Sequence, residues 1–382
     1  MKRHGDFARG GDTMAGMTLE QASAHLTSTD PRFAVGEATI RGVRLPVFLN
    51  APATLRDFQA DCAALQQNSH YIVYEGERTT YAEYLAQSDR VSRILIERFG
   101  IKKGDRVAIA MRNYPEYLTL FMGIVNIGAV AVLVNAWWTT EELTYGFDDS
   151  GAKLVFADGP RFERIEPFAA EKGITMVMVR DAAPDGAATL SRLMEEVLSA
   201  PRPTVPIDTD DDFGLLYSSG STGHPKGVVL THRGAMTAVT TWLMSLQLPP
   251  LMMPADTIFP EPQPQGMLCA TPLFHVTASH PTYLLSMAIG AKMVLMRKWD
   301  GEQALRIINE EKITRFLGVP TMSADLREAA VRLGVSTPSL TYLGSGGAKR
   351  PAAQVAEQAD AFPSASVSSG WGMTETNAVG IG

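Results

Sequence analysis

The feature that most limits the fold of this chain is a regular alternation of short apolar runs with longer segments of helical periodicity. Runs rich in β-branched residues span 106–111, 129–134, 153–158 and 174–179, and helix-like segments containing 116–127, 141–149 and 162–171 separate them. The runs have the length of strands, and the intervening segments are long enough to form crossover helices. This βαβ repetition predicts an α/β protein whose sheets are largely parallel and covered by helices.

The alternation stops once and then resumes. Residues 181–212 contain turn signals, several prolines and one helix-like segment at 190–198, which indicates a connection between two lobes. Strand-like runs then return at 268–271, 291–296, 315–319, 341–344 and 366–369, with helix-like segments at 234–246, 281–288, 302–311, 323–333 and 352–362. We predict a disordered extension over 1–30, a first α/β lobe with the connecting segment over 31–204, and a second α/β lobe over 205–382.

Local signals mark several element boundaries. Thr80 and Glu83 have the spacing of a capping box and open a helix that ends before Gly100. Residues 71–81 alternate around a Glu-Gly-Glu turn and predict a hairpin. A Pro-rich insert at 249–264 is interpreted either as a surface excursion or as part of a lid.

Composition and charge argue against several classes of protein. The formal net charge is −7 and basic residues are not concentrated anywhere, which argues against a nucleic-acid partner. A hydrophobic content of 45% with 20% charged residues is that of an ordinary soluble globular protein. Cys62 and Cys269 have no Cys or His neighbours at metal-ligand spacing, so we expect reduced, buried thiols.

Two stretches have some features of targeting or membrane segments. Residues 1–13 are basic but lack a following apolar core segment, so they do not form a secretory signal. Residues 118–134 are apolar over about the minimum length of a membrane span. Gly128 divides that run into a helix and a strand, so we expect a cytoplasmic protein without a transmembrane segment. The oligomeric state is not indicated.

A loop rich in hydroxyl groups and glycine joins two strand-like runs at 217–227, which read Tyr-Ser-Ser-Gly-Ser-Thr-Gly-His-Pro-Lys-Gly. Glycines allow the backbone to wrap an anion, the hydroxyl groups can donate, and Lys226 adds positive charge, so the loop suits a polyphosphate. It is not a Walker loop, because Pro225 and Gly227 flank Lys226. Taken alone, this composition is also typical of a flexible linker.

Further motifs follow predicted strands, where open α/β sheets bind their ligands. They read Ser-Gly-Trp-Gly-Met-Thr-Glu at 369–375, Ser-Gly-Gly-Ala-Lys at 345–349 and Pro-Leu-Phe-His at 272–275. Each also has an ordinary structural interpretation: Thr374 and Glu375 suit a first helical turn, Trp371 suits a core, and a lone His275 is commonly a satisfied structural group.

In this order, the motifs resemble those of the AMP-forming adenylating superfamily, which contains acyl-CoA synthetases, luciferases and peptide-synthetase adenylation domains. The resemblance extends from about Tyr71 to the last residue and is greatest to fatty-acid or aryl-acid CoA ligases. It implies the large N-terminal domain of an adenylating enzyme that uses ATP, Mg²⁺ and coenzyme A. In that family, further sequence forms a small C-terminal domain with a catalytic lysine, so the resemblance implies a C-terminally truncated chain. Whether such a truncation is natural is left open.

The resemblance also implies roles for individual residues. The residues that would contact ATP are Ser218, Ser219, Gly220, Ser221, Thr222, Gly223, Lys226, Gly346, Gly347, Ala348, Gly370, Trp371, Gly372 and Thr374. The residues that would act in catalysis are Lys226, Thr374, Glu375 and His275, with Glu375 also holding Mg²⁺. Lys349 stands where the family usually has proline.

The resemblance further implies a function. We expect ATP-dependent activation of a carboxylic acid, fatty or aryl, to an acyl-adenylate and its transfer to coenzyme A, with this chain as the ATP- and acid-binding part. His275 stands where amino-acid-activating relatives tend to carry aspartate, which argues against a free amino group on the substrate. Two alternatives stay open: an acyl-AMP ligase that delivers to a carrier protein, and a non-catalytic nucleotide-binding fragment.

Overall fold

The described part of the protein forms two compact units. The structure, a computed structural model, describes residues 16–218, 224–254, 257 and 263–381. The smaller unit takes its described residues from those up to Ala51 and from Thr240–Gln263, and the larger unit from Pro52–Val239 and Pro264 onwards.

The smaller unit contains a helix and a hairpin. Helix α1 (Leu19–Thr29) begins with a capping box, in which Thr18 accepts from the backbone N–H of Gln21 and the Gln21 side chain accepts from that of Thr18. Strands β1 (Val35–Ile40) and β2 (Val43–Phe48) pair antiparallel. The prediction of a disordered extension over 1–30 is therefore wrong for α1. The capping box satisfies backbone donors of this helix, and the helix buries apolar residues. Residues 1–15 lie outside the described part.

The larger unit contains two seven-stranded sheets, here called sheet A and sheet B. Sheet B begins with β3 (His70–Tyr74) and β4 (Glu77–Thr80) and continues with β12 (Gly266–Cys269), β13 (Lys292–Leu295), β14 (Arg315–Gly318), β15 (Tyr342–Ser345) and β16 (Ser366–Ser369). Sheet A consists of β5 (Arg106–Ala110), β6 (Val130–Leu133), β7 (Leu154–Ala157), β8 (Thr175–Met178), β9 (Ala188–Thr189), β10 (Asp212–Ser218) and β11 (Lys226–Thr231). Strands β17 (Trp371–Gly372) and β18 (Gly380–Ile381) form a separate pair.

The strand orders confirm the predicted α/β class with largely parallel sheets. Sheet A has the order β11-β10-β6-β5-β7-β8-β9 and sheet B the order β16-β15-β14-β12-β13-β3-β4. Among the described strands, each sheet contains one antiparallel pair, β10 with β11 in sheet A and β3 with β4 in sheet B. Parallel strands place all their carboxyl ends at one edge, so each sheet has a carboxyl edge at which loops can meet.

Helices connect and cover the strands. They are α2 (Leu55–Gln66), α3 (Tyr81–Phe99), α4 (Pro115–Val125), α5 (Thr140–Ser150), α6 (Gly159–Ala169), α7 (Leu190–Glu196), α8 (His232–Met252), α9 (Val276–Ala278), α10 (Leu285–Ala288), α11 (Gly301–Glu310), α12 (Pro320–Leu333) and α13 (Ala352–Ala361). A π-helical turn, Ser279–Leu284, joins α9 to α10, so 276–288 forms one helical segment. Helix α3 begins at the predicted capping box and ends at Gly100.

The two sheets do not divide the chain between residues 204 and 205. The hairpin predicted within the first lobe, β3–β4, belongs to sheet B, because β3 pairs with β13. The pair β10–β11, predicted to open the second lobe, belongs to sheet A, because β10 pairs with β6. These pairings join strands far apart in sequence, and no local pattern specifies them. The boundaries of the lobes as domains stay a prediction.

Helix α8 differs from its predicted end. It continues past residue 246 to Met252 and includes Pro249 and Pro250. The Pro-rich insert at 249–264 therefore begins within the helix. Residues 255, 256 and 258–262 of that insert lie outside the described part, so its interpretation as an excursion or a lid stays open.

Two further expectations concern buried groups and membranes. Cys62 and Cys269 are both free and buried, as predicted, and burial raises the pKa of each thiol to about 12.

The apolar run at 118–134 divides, as predicted, into the end of α4 and strand β6, with Gly128 between them at a φ of 70°. Among the described residues, we found no helix with the length and apolar character needed to cross a membrane.

Candidate active site

The buried side chain of Asn113 joins the carboxyl edges of the two sheets. Asn113 follows β5, and its Nδ2 donates to the carbonyl oxygens of Thr271 (2.9 Å) and Met296 (3.2 Å), which follow β12 and β13. Its Oδ1 accepts from the backbone N–H of Leu273 at 2.9 Å. The loops after sheet A and sheet B are therefore held together beside the motif at 272–275. We did not predict this residue, because an Asn after a strand is equally typical of any turn.

The loop predicted to hold phosphate closes the hairpin β10–β11. Ser218 and Lys226 form the last pair of this hairpin, so the predicted placement between two strands is confirmed. Ser218 is half-buried and Lys226 is exposed. The predicted residues Ser219, Gly220, Ser221, Thr222 and Gly223 lie outside the described part of the protein.

Helix α5 supports the two residues that flank this loop. Tyr217 donates its hydroxyl to Asp149 Oδ2 (2.8 Å), and Tyr145 donates its own to the carbonyl of Pro225 (3.2 Å). The Tyr145 ring also stacks on His224, with ring centres 4.9 Å apart. Burial, and then the Asp149 carboxylate, raise the pKa of Tyr217 well above its usual value, so its hydroxyl remains a donor. We missed these supports, since they become neighbours only through the fold.

The two glycine-containing motifs of sheet B lie side by side. Strands β15 and β16 pair so that Ser345 is opposite Ser369, and Gly370 N–H donates to the Ser345 carbonyl at 2.9 Å. Gly347 has a φ of 75°, which favours glycine, and Gly347 and Ala348 are exposed. The surface at the end of β15 is therefore open to a flat ligand.

Trp371 lies on the surface beside these glycines. It is 59% exposed, so its interpretation as a core aromatic is wrong. It forms β17 with Gly372, and this short strand pairs with β18. An exposed indole next to the open glycine turn is available to a ligand.

The turn that carries Thr374 and Glu375 lies against the strand that begins with Lys226. Residues Thr374–Thr376 form a 3₁₀ helix that contacts β11. The turn is anchored by Asn377, which is 7% exposed, has a φ of 53° and donates its N–H to the Thr374 carbonyl at 3.0 Å. A Cβ on Gly234, in the first turn of α8, would lie 2.7 Å from Asn377 Nδ2. The structure therefore packs the turn that bears Glu375 against the strand and the helix that follow the loop at 217–227.

Beneath this turn lies a buried histidine. His280 belongs to the π-helical turn of segment 276–288 and is fully buried. Burial lowers its pKa to about 4, and Asn377 opposes that effect only partly. His280 is therefore neutral at physiological pH, and its Nδ1 pairs with the Ser279 hydroxyl at 2.9 Å.

His275 lies immediately before segment 276–288, at the carboxyl edge of sheet B. Its Nδ1 accepts from the backbone N–H of Thr277 at 3.2 Å, and the surrounding protein lowers its pKa. A neutral imidazole whose Nδ1 accepts carries its proton on Nε2. His275 therefore caps the helical segment through Nδ1 and keeps its Nε2–H available as a donor. The residue is exposed.

An aromatic and cationic cluster borders the same motif. Trp137, 57% exposed, meets Phe274 edge to face with ring centres 5.2 Å apart. The Arg112 guanidinium lies over the Trp137 ring at 5.5 Å and donates to the Arg297 carbonyl at 3.0 Å. We predicted none of these neighbours. A tryptophan pair, Trp137 and Trp138, shortly after the apolar run at 129–134 was the signal in the sequence that could have drawn attention to Trp137.

The residues present fit the groups that the resemblance implies. Mg²⁺ prefers oxygen ligands and commonly takes one or two carboxylates besides phosphate and water. Glu375 provides one exposed carboxylate, and no group of three potential metal ligands occurs among the described residues. By their chemistry, the Lys226 ammonium, the open turn at Gly347 and the Thr374 hydroxyl suit the phosphates and the base of a nucleotide. A second carboxylate, that of Asp149, lies beside the hairpin and accepts from the Tyr217 hydroxyl.

Comparisons with known proteins agree with this geometry. A family model described as "AMP-binding enzyme" matches residues 58–381. The chain is similar to 4-coumarate--CoA ligase 2 of Petroselinum crispum, at 32% identity over 306 residues, which are 80% of this chain and 54% of that protein. It is also similar to 4-coumarate--CoA ligase 3 of Oryza sativa subsp. japonica, at 32% identity over 310 residues, covering 80% of this chain and 52% of that protein.

A solved structure shows the same fold. The N-terminal domain of FACL13 from Mycobacterium tuberculosis superposes with a TM-score of 0.72 at 27% identity, covering 86% of this chain and 78% of that one. The chain spans about half the length of the curated relatives it matches. Because the family match covers most of the sequence and includes all the motifs that the fold brings to the two carboxyl edges, this chain belongs to the AMP-binding enzyme family.

Proposed function

We propose that this chain is the ATP- and acid-binding part of an AMP-forming acid–thiol ligase, which activates a carboxylic acid as an acyl-adenylate and transfers it to coenzyme A. The observation that carries the proposal is the contact between the Thr374–Thr376 turn and β11, whose first residue is Lys226. The turn that bears Glu375 therefore packs against the strand that follows the loop at 217–227. The names of the relatives support a CoA ligase.

The described residues suit the first step. A carboxylate oxygen of the acid would attack the α-phosphorus of ATP, forming one P–O bond while the bond to the β-phosphate oxygen breaks and pyrophosphate leaves. Lys226 would stabilise the charge on the outer phosphates, and Thr374 would orient the α-phosphate. Mg²⁺ held by Glu375 would neutralise phosphate charge. His275 would donate from Nε2 to the acid and hold it in line.

In the second step, the thiol sulfur of coenzyme A would attack the acyl carbon, and AMP would leave as the thiol proton passes to solvent. The acid is either aryl, as the names of the 4-coumarate ligases suggest, or fatty, as a fatty acyl CoA synthetase of similar fold suggests. Use of magnesium, a place in fatty acid metabolism and a cytoplasmic location are parts of this proposal. We propose no nucleic-acid partner.

Two measurements test the proposal. Calorimetric titration with ATP, with and without Mg²⁺, on a sample that melts cooperatively should show metal-dependent binding. Acid-dependent exchange of labelled pyrophosphate into ATP should then follow with aryl or fatty acids, because only an adenylating site supports it. Binding without exchange would favour a non-catalytic nucleotide-binding protein, and no binding would contradict the proposal.

The acceptor is tested separately. If exchange is observed, coenzyme A and a panel of carrier proteins should be offered to the preformed acyl-adenylate. Thioester formed with coenzyme A supports the ligase, whereas transfer only to a carrier protein would identify an acyl-AMP ligase.

A further inference from the structure

Two buried side-chain atoms close to the Thr374–Thr376 turn have no hydrogen-bond partner among the described residues. They are Nε2 of His280, which is fully buried, and Oδ1 of Asn377, which is 7% exposed. Buried polar atoms are almost always paired, because an unpaired one loses its hydrogen bonds to water without replacing them. Two such atoms beside the residue that would hold Mg²⁺ therefore point to a specific role.

The two side chains belong to one cluster around Phe213. The centres of the His280 and Phe213 rings are 6.1 Å apart, and His232 flanks the same ring at 5.6 Å. Two residues after His232 comes Gly234, where a Cβ would lie 2.7 Å from Asn377 Nδ2. The Asn377 amide is also close enough to His280 that its hydrogen bonding opposes the lowering of the imidazole pKa by burial. Nδ2 thus lies against the start of α8, which leaves Oδ1 for His280.

The contacts of the other ring nitrogen decide where His280 carries its proton. Nδ1 lies 2.9 Å from the Ser279 hydroxyl oxygen, which is also 3.3 Å from the His275 carbonyl oxygen. The hydroxyl group has one proton, and the shorter contact assigns that proton to Nδ1. A neutral imidazole that accepts at Nδ1 is protonated at Nε2. His280 therefore presents an Nε2–H donor, and Asn377 Oδ1 is an unpaired acceptor.

A π-helical turn carries His280 to this cluster. The turn spans Ser279–Leu284, and Thr282 Oγ1 donates to the Thr277 carbonyl, five residues earlier, at 3.2 Å. Turns of this kind are rare and frequently lie at functional sites. This favours a specific role for the buried histidine over a role as filler of the core.

Asn377 controls the geometry of the turn that bears Glu375. Its backbone N–H donates to the Thr374 carbonyl at 3.0 Å and closes the 3₁₀ helix. Its φ of 53° lies in the left-handed region, which is sparsely populated by residues other than glycine. Such a conformation persists only where the surrounding structure holds it. A hydrogen bond to the buried amide would hold it in place.

From this arrangement we propose that His280 is a positioning residue for Glu375: its Nε2–H donates to Asn377 Oδ1, and this hydrogen bond fixes the turn so that the Glu375 carboxylate can hold Mg²⁺. The inference rests on the proposed function, because it assumes that Glu375 holds the metal of Mg²⁺-bound ATP. His280 itself contacts neither the nucleotide nor the metal.

The test uses α,β-methylene ATP, in which the bond that breaks during adenylation is replaced, so that binding is read without turnover. Its affinity is measured by calorimetry with and without Mg²⁺. His280→Leu removes the donor and keeps an apolar side chain in the core. The gain in affinity due to Mg²⁺ should fall about fivefold, the effect of one neutral hydrogen bond, while the affinity without Mg²⁺ should stay unchanged.

Two further variants separate positioning from packing. His280→Gln places an amide N–H about as far from the backbone as Nε2 and should restore most of the Mg²⁺ effect. His232→Asn is the matched control, since His232 is equally buried and also flanks Phe213, but accepts from the backbone N–H of Leu55. This control should change stability and leave the Mg²⁺ effect intact.

NMR of protein with isotope-labelled histidine rings reads the hydrogen bond without any ligand. The His280 signals are assigned by their absence in His280→Gln. They should show a neutral ring protonated at Nε2, with a proton that exchanges slowly with water. Asn377→Gly should shift that proton signal and speed its exchange, because its acceptor is lost. If His280→Leu does not fold, this measurement decides alone.

The outcomes separate this inference from the proposed function. A Mg²⁺ effect in His280→Leu equal to that of the parent, a loss that His280→Gln does not restore, or an equal loss in His232→Asn overturns the role of His280. A ring protonated at Nδ1, or an Nε2 proton that does not respond to Asn377→Gly, also overturns it. In these cases the parent still binds the nucleotide with Mg²⁺, and the proposed function stands. If a parent sample that melts cooperatively binds no better with Mg²⁺ than without it, the proposed function fails as well.

Discussion

Lys226 and Glu375 are exposed and form no ion pair with any described residue. Their supports are mostly buried or half-buried: Tyr217 beside Asp149, and Asn377 under the Glu375 turn. An unpaired charge on a well-packed element can bind an anion or a metal ion from solution. At this scale, single substitutions should change ligand affinity while leaving the fold intact.

Lys226→Ala should weaken ATP binding by about tenfold or more, the effect expected from losing one charged hydrogen bond. Calorimetric titration with ATP measures it. The matched control is Lys102→Ala, an exposed lysine before β5 at the opposite edge of sheet A. Equal affinities for the two variants would contradict the role given to Lys226.

Glu375→Gln should remove much of the Mg²⁺ dependence of ATP binding, because the amide keeps the shape of the side chain but not the charge that a hard cation requires. Affinity without metal should be unchanged or slightly higher, since a negative charge near the phosphates is lost. Glu310→Gln, exposed at the end of α11, is the control. The assignment is wrong if both variants respond to Mg²⁺ like the parent.

At the scale of elements, the site depends on how the Thr374–Thr376 turn packs against β11 and the start of α8. A side chain at Gly234 would require Asn377 to move, because a Cβ there would lie 2.7 Å from Asn377 Nδ2. Segment 276–288 contributes His280 from below, and α5 supports the hairpin β10–β11. The turn, the hairpin and the helical segment therefore form one connected support.

Gly234→Ala should displace Asn377 and the turn. The steric cost of about 1–3 kcal/mol is offset in part by about 1 kcal/mol from the higher helix propensity of alanine. We therefore expect a small change in the melting temperature and a clear loss of Mg²⁺-dependent ATP affinity, measured by calorimetry.

A second substitution provides the control for this prediction. Asn377→Gly removes the side chain that the added methyl group of Gly234→Ala would meet, and glycine accepts the φ of 53° at position 377. In a double-mutant cycle, the effect of Gly234→Ala should be smaller in the Asn377→Gly background. Strict additivity would mean that the two residues do not act through their contact.

At the scale of the whole molecule, the two sheets share a core in which polar groups are buried. Asn113 is 4% exposed and binds both carboxyl edges. His232 and His280 are both fully buried, and their rings flank Phe213 with centres 5.6 and 6.1 Å away. Burial lowers the pKa of each histidine to about 4, so the folded protein holds both in the neutral form.

This burial predicts a pH-dependent stability. The histidine pKa is 6.5 in the unfolded chain and about 4 in the folded protein, so between these values the unfolded chain binds more protons. The free energy of unfolding should therefore be highest above pH 6.5 and fall as the pH drops towards 4, by about 3 kcal/mol for each histidine.

Urea unfolding of the parent and of His232→Asn at pH 5 and pH 7.5 measures this effect. Asparagine can accept the hydrogen bond that Leu55 N–H donates to Nδ1 at 3.1 Å. The variant should lose about half of the pH dependence. His25→Asn, an exposed control, should keep all of it. A His232→Asn variant as sensitive to acid as the parent would refute the prediction.

The sequence by itself determined the local features of this protein. The ends of α3 were predicted from Thr80, Glu83 and Gly100, because caps and stops depend on hydrogen bonds between near neighbours. The parallel α/β class followed from periodicity, and the family followed from the order of short motifs.

Only the tertiary structure decided which strands share a sheet, that Asn113 joins the two carboxyl edges, and that Asn377 meets Gly234. The physical reason is that these contacts join residues brought together by strand pairing and helix packing. The free energy of these contacts depends on partners that are distant in sequence, and no local pattern of residues specifies such partners.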